Sequence, residues 1–182
     1  RMVQTLVGID AFKKAYRDYH DVQETAPATI KGWLAHVAES TGKDLTQFID
    51  TWLTQAGVPT LIVSTQFDDE NNTYALKVEQ SIPATSDNPE QAKQPFHIPF
   101  IVGLVGKDGK DIELSPADDS FIVRQDGMIE ITKSVQTFTF GNIINEPLPS
   151  LNRDFSAYCK VDYQHSRDSL TFLAANDSNQ LN

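Results

Sequence analysis

Among the 182 residues there is one cysteine, Cys159, so no internal disulfide can form and no multi-thiolate metal site can be built. No apolar run approaches the roughly eighteen residues of a membrane span, and the N-terminus has neither the basic nor the apolar region of a secretory leader. The four histidines, His20, His36, His97 and His165, are followed by Asp, Val, Ile and Ser, which leaves no His-Glu pair and hence no HExxH zinc pattern. Basic residues are scarce: fifteen lysines and arginines stand against twenty-five acids, a net charge of -10, which disfavours the phosphate backbone of nucleic acids. Neither nucleic acid nor membrane is an expected partner. Gly103, Gly106 and Gly109 fall in a strand pattern and its turn with no helix after them, so they do not form a phosphate loop.

What is present reads as an ordered, soluble protein. The apolar fraction of 40% lies well above the disordered range, and nine prolines with nine glycines suit a turn-rich β segment. A chain of this length buries roughly 70% of its unfolded surface and folds as one large or two small domains. Its organising stretch is DLTQFIDTWLTQAGVPTLIV, residues 44–63, where the hydrophobic period changes from helical to alternating. Leu45, Phe48, Ile49, Trp52, Leu53 and Ala56 share one helical face. Asp44 is placed to cap that helix, Gln47 to complete a capping box, and Gly57 with Pro59 to stop it. Upstream, residues 2–6 predict a short helix ended by Gly8. Asp10 then caps a stripe of Phe12, Ala15, Tyr16 and Tyr19, while Thr29 and Gly42 bound a stripe of Ile30, Trp33, Leu34, Val37 and Ala38. Trp33 and Trp52 are the expected core anchors of this small helical cluster.

From Thr60 to Tyr163 the pattern becomes short alternating runs punctuated by turn residues, as in a β-sandwich. Strands are predicted over 60–67, 73–80, 97–105, 110–114, 121–124, 128–133, 135–140 and 157–164. Hairpins are the natural connections at 68–72, 106–109, 126–127 and 141–142, with a surface loop over 83–95. Inward positions are Ile98, Phe100, Val102 and Leu104 on one run, Leu76 and Val78 on another, then Ile129, Ile131, Phe138 and Phe140. Beyond Tyr163, Asp168 caps a brief helix through Leu170, Leu173 and Ala174, too short to stand alone and so expected to fray or dock on the sandwich. The fold class is mainly β: an Ig-like β-sandwich preceded by a small α-helical segment.

TWLTQAGVP followed by a β run resembles the junction between the catalytic and third domains of zinc aminopeptidases of the M1 family, bacterial alanyl aminopeptidase N type. RMVQTLVG and AFKKAYRDY are similar to the helices that follow the zinc site in that family. PFHIPF, TFTFGNI, EPLPSLNRDFSA and DSLTFLAANDS resemble later segments in the same order, so nearly the whole chain is covered. The resemblance implies an internal fragment of a larger enzyme: 1–58 the last helices of the catalytic domain, 59–165 the sandwich third domain, 166–182 the start of a helical C-terminal domain. For the parent it implies a zinc-dependent enzyme that removes N-terminal residues from peptides, with the sandwich as an inter-domain spacer; a reducing, cytoplasmic compartment fits the single cysteine without following from it. It also places the HExxH histidines, the Gly-Ala-Met-Glu-Asn segment and the transition-state tyrosine upstream of Arg1. No catalytic, cofactor-binding or metal residue is therefore expected here, and the expected partners are the parent's other domains. Beginning at Arg1 with no leader, the chain reads as cut from something longer. Where the family typically has Phe-Ser-Ala-Pro-Val this chain has Phe155–Ser156–Ala157–Tyr158–Cys159, which leaves the start of the last strand open.

Several side chains invite a sharper chemistry. His36 with Glu39 could supply half a metal site, but no third ligand has a supporting spacing, and a partly exposed polar pair is expected. His97 alternates away from Ile98 and Phe100, onto the sheet face where a neighbouring domain would sit. Asp68, Asp69, Glu70, Asn71 and Asn72 offer calcium-type oxygens without the D-x-D-x-D-G spacing, which favours a solvated turn. Asp108, Asp111, Asp118 and Asp119 could pair for acid–base work, but no nucleophile or cleft is placed beside them, and surface turns are expected. Cys159, on one strand face with Val161 and Tyr163, reads as a half-buried inert thiol. The alternative to a fragment is a free-standing Ig-like module binding protein or carbohydrate, against which the aromatic helical segment speaks. An enzyme with an unrecognised site ranks third.

Overall fold

The computed structural model describes residues 1–22, 28–85 and 93–179. Helices α1 (Met2–Val7), α2 (Ile9–Val22), α3 (Ile30–Thr41) and α4 (Thr46–Trp52) precede the strands β1 (Thr60–Asp68), β2 (Thr73–Ser81), β3 (Ile98–Val105), β4 (Met128–Ile131), β5 (Val135–Phe140), β6 (Leu148–Leu151) and β7 (Lys160–Asp162), and α5 (Arg167–Asn176) follows. Most of the loop expected at 83–95 lies outside the described residues.

Local chemistry sets the helix ends. Thr29 Oγ1 accepts the Gly32 amide at 3.0 Å and Gly42 turns left-handed at φ 66°, so α3 is capped as its sequence predicts. α2 starts differently: Phe12 N–H donates to the Gly8 carbonyl at 3.0 Å, which makes Asp10 a first-turn residue rather than the cap. Asp44 Oδ1 accepts the Thr46 amide at 2.9 Å, but α4 ends at Trp52, leaving Leu53 and Ala56 exposed. The lost turn goes to a competing pairing: Gln55 Nε2 donates to the Gln94 carbonyl at 2.9 Å and Gln55 Oε1 accepts the Gln94 amide at 2.8 Å. For α5, Ser166 and not Asp168 is the cap, its Oγ accepting the Ser169 amide.

The strands form two sheets, ordered β5-β2-β1-β7 and β4-β3-β6. β1 and β2 are a long antiparallel hairpin closed by Asn72 at φ 52°, β2 pairs antiparallel with β5 so that Leu76 faces Phe138, and β7 runs parallel to β1. β3 pairs with β4 over its first half and with β6 over its second. The inner faces meet in one core. Leu61, Val63, Tyr74, Leu76, Val78, Phe138 and Phe140 come from the larger sheet and Ile98, Phe100, Val102, Leu104, Ile129 and Ile131 from the smaller. Every inward position predicted from alternation is buried. A second cluster gathers Leu6, Ala15, Leu34, Val37, Leu45 and Phe48 from the helices, and Met2 and Trp52 pack against both.

The strand pattern misled in instructive places. Residues 110–114 and 121–124 form no strand. Asp111 of the first run bridges Val105 of the smaller sheet, and Pro116, just beyond the run, bridges Phe140 of the larger, closing the side of the sandwich instead of extending a ladder. In the second, Phe121 stands edge-on to Phe138 and Phe140 at 5.1 and 5.5 Å, so its apolar spacing plugs the core. The tight turns at 106–109 and 126–127 fold the chain back, with the Ile112 amide on the Leu104 carbonyl and the Arg124 amide on the Met128 carbonyl; the chain arches from one sheet to the other at 132–134, between β4 and β5. β6 was hidden by Pro149, which an edge strand tolerates because one side of its ladder is unused. β7 spans three residues where eight were predicted, since Asn152 draws Ser156 and Ala157 into a turn.

Gln80 is a buried polar stitch between the sheets. Its Nε2 donates to the Phe96 carbonyl at 2.9 Å and the Lys133 carbonyl at 3.2 Å, and its Oε1 accepts the Phe96 amide at 2.9 Å. Gln80→Leu keeps the volume but strands the Phe96 amide and carbonyl. It should lower the unfolding free energy by about 2–4 kcal/mol, read from urea melts, with the native circular dichroism unchanged.

Candidate functional site

Buried polar side chains are concentrated at two seams on the outer face of the smaller sheet, one at Glu130 of β4 and one at Gly103 of β3. At the first, the α3–α4 connection and α4 meet the start of the smaller sheet. His97 lies just before β3 and is 5% exposed. Its Nε2 stands 2.7 Å from Glu130 Oε2, and Lys43 Nζ bonds the other carboxylate oxygen. The His97 hydrogen bond, opposed by partial burial and reinforced by Lys43, holds the Glu130 carboxyl at about 2. As an ionised carboxylate only accepts, His97 Nε2 carries the proton between them. Trp52 Nε1 donates to the His97 carbonyl at 2.9 Å, and Phe48 meets the imidazole edge-on at 6.3 Å. Gln47, expected in a capping box, instead reaches the sandwich, donating to the Pro95 and Thr132 carbonyls at 2.9 and 2.8 Å.

At the second seam Arg153 joins three segments. Nη1 and Nη2 donate to Asp111 Oδ2 and Oδ1 at 3.0 and 2.7 Å, Nη2 also lies 2.8 Å from Asp177 Oδ1 beyond α5, and Nε donates to Ser150 Oγ at 2.9 Å. Arg153 chiefly accounts for the lowered Asp111 carboxyl. Of the acids expected in surface turns, Asp111 alone is bound this way. Asp108 and Asp118 accept the amides of Lys110 and Ser120, and Asp119 is exposed. No spacing signal in the sequence links Asp111, Arg153 and Asp177.

The remaining candidates are separate. His20 is exposed on α2, and His36 stacks on Trp33 beside Tyr19 with Glu39 exposed. His165 sits edge-on to Tyr163 at 4.6 Å. Asp68 uses its own carboxylate to bind the amides of Glu70 and Asn71 and the Asn71 side chain, which closes the hairpin turn. Burial pushes the Cys159 thiol up to about 12, so it is protonated at neutral pH. Among the described residues no three His, Cys, Asp or Glu side chains are grouped to hold a metal, and no helix is long and apolar enough to cross a membrane.

Residues 57–164, from the end of the helical segment through β7, match a family described as a domain of unknown function (DUF3458) with an Ig-like fold. The chain belongs to that family. This DUF3458 chain is also 33% identical over 181 residues to aminopeptidase N of Escherichia coli (strain K12), which covers 100% of the chain and 20% of the relative. Aminopeptidase N of Haemophilus influenzae is 32% identical over the same length and likewise covered to 20%. The crystal structure of Legionella pneumophila aminopeptidase A in complex with aspartic acid superposes with a TM-score of 0.80 at 26% identity, covering 98% of the chain and 18% of that protein. The chain spans about a fifth of the length of the curated relatives it matches and is homologous to that part of aminopeptidase N.

Because the folded Glu130 carboxyl lies below its ordinary 4.5, its contribution to stability is complete above that pH and is lost as pH falls toward 2. Glu130→Gln removes that dependence. The difference in urea midpoint between wild type and variant should be largest above pH 5 and shrink as the solution is acidified.

Proposed function

We propose that the chain is a non-catalytic part of an M1-type zinc metalloaminopeptidase that removes N-terminal residues from peptides, with the sandwich as a spacer between functional domains. In this proposal residues 1–58 close the catalytic domain, 59–165 are the sandwich third domain, and 166–182 open a helical C-terminal domain. One observation carries it: the whole chain aligns, end to end, with a fifth of two aminopeptidase N sequences. The buried seams give it a physical basis, since a spacer must transmit position and these joints tie the segments before and after the sandwich to its smaller sheet.

The residues present do not fit a zinc ion: the four histidines lie apart, each committed to a separate neighbourhood or to solvent. The metal and the groups that activate water are therefore assigned to the rest of the parent, with peptides as its substrates and no part for nucleic acid or lipid. The single cysteine suits a cytoplasmic enzyme.

An aminoacyl-amide assay tests this directly. The chain by itself should show no turnover, while the longer polypeptide from the same reading frame should cleave the amide and lose activity on chelation. Turnover by the isolated chain that survives removal of contaminants would overturn the proposal.

A further inference from the structure

We infer that Arg153 is a latch that locks α5 in one orientation against the sandwich, so that the chain leaves β7 through a rigid joint rather than a flexible link. The seat comes first. The guanidinium lies flat on β3 where there is no side chain: a Cβ at Gly103 would fall 2.0 Å from Arg153 Cζ. A matching seat takes the end of α5, where a Cβ at Gly109 would fall 2.3 Å from Asn176 Oδ1. Glycine at both positions lets the partners approach the backbone itself.

Next comes the convergence of charge. Asp111, from the segment after β3, and Asp177, just past α5, bind the same guanidinium, and Ser150 Oγ links it to Asp177 as well. Ser178 closes the ring by donating to Asp111. The side chains of Arg153 and Asp177 are 11% and 7% exposed, so water cannot readily replace either partner and the joint is made or broken as a unit. Apolar packing of α5 is thin by comparison: Leu173 is buried while Leu170 is exposed.

The loop that carries Arg153 is itself held stiff. Asn152, Asp154 and Phe155 all have left-handed backbone, at φ 56°, 57° and 47°, a conformation that persists only where its surroundings over-determine it. Asn152 Oδ1 accepts from the Ala157 amide and Ser156 Oγ, its Nδ2 donates to the Ala157 carbonyl, and Ser156 Oγ in turn accepts the Ile101 amide of β3. Arg153 is thus a positioning residue delivered from a rigid turn. The spacer proposal is needed only for what the latch would do in a longer chain; the latch is a property of this chain and is tested in it.

Hydrogen exchange of the intact chain, read by mass spectrometry, distinguishes the cases. Arg153→Met and Asp177→Asn should each speed exchange across α5 by about tenfold or more, with β1 and β2 amides unchanged. The double variant should be no faster than either single one, because both remove one joint. Gly103→Ala, which unseats the guanidinium without altering charge, should have the same effect on α5. The latch is overturned if α5 keeps its wild-type protection in these variants, if the two single effects multiply, if α5 is already unprotected in the wild type, or if β1 and β2 lose protection together with α5. None of these results bears on the peptidase proposal, which the amide assay judges separately.

Discussion

β3 is buried on both faces, and much of the architecture answers to that constraint. Ile98, Phe100, Val102 and Leu104 fill the interior of the sandwich, while Pro99, Gly103 and Val105 on the opposite side are also buried. In an antiparallel sandwich the outer face normally meets water and carries polar side chains. Here α1 packs on that face and the Arg153 guanidinium covers Gly103. The helical segment and the sandwich therefore share a strand. Removing the helices would expose an apolar sheet face, which accounts for their presence beside a fold that is self-contained in many other proteins.

Alternation and capping were readable because each depends on residues close in sequence. Thr29 and Gly42 bound α3 as predicted, and the ten inward positions follow from a two-residue period that one buried face imposes on a strand. What could not be read were decisions made by competition at a distance. Gln47 has the spacing of a capping box, yet carbonyls 48 and 85 residues away take its amide. Residues 110–114 alternate like a strand, yet Asp111 makes an isolated bridge to one sheet and Pro116, just beyond them, an isolated bridge to the other. Asp111 looks like a turn acid until Arg153, 42 residues on, binds it. The family likeness placed the chain where pattern alone would have stopped at a sandwich with helices attached.

Several polar side chains among the described residues join one piece of the fold to another. Glu130 holds His97 and Lys43, Gln80 spans the sheets, and Arg153 gathers two aspartates. A carboxylate at about 2 and a thiol at about 12 lie far from the neutral range in which general acids and bases exchange protons. Stability of position and reactivity pull these groups in opposite directions, and the fold has taken the former.

The parallel pairing of β7 with β1 has a mechanical corollary. Thr60 stands beside Lys160 and Ile62 beside Asp162, so the strand by which the chain comes in and the one by which it goes out lie side by side and point the same way. Tension drawn along the polypeptide would slide these two past each other, loading their hydrogen bonds simultaneously in shear. They could not be peeled open one at a time, as the ends of a hairpin can.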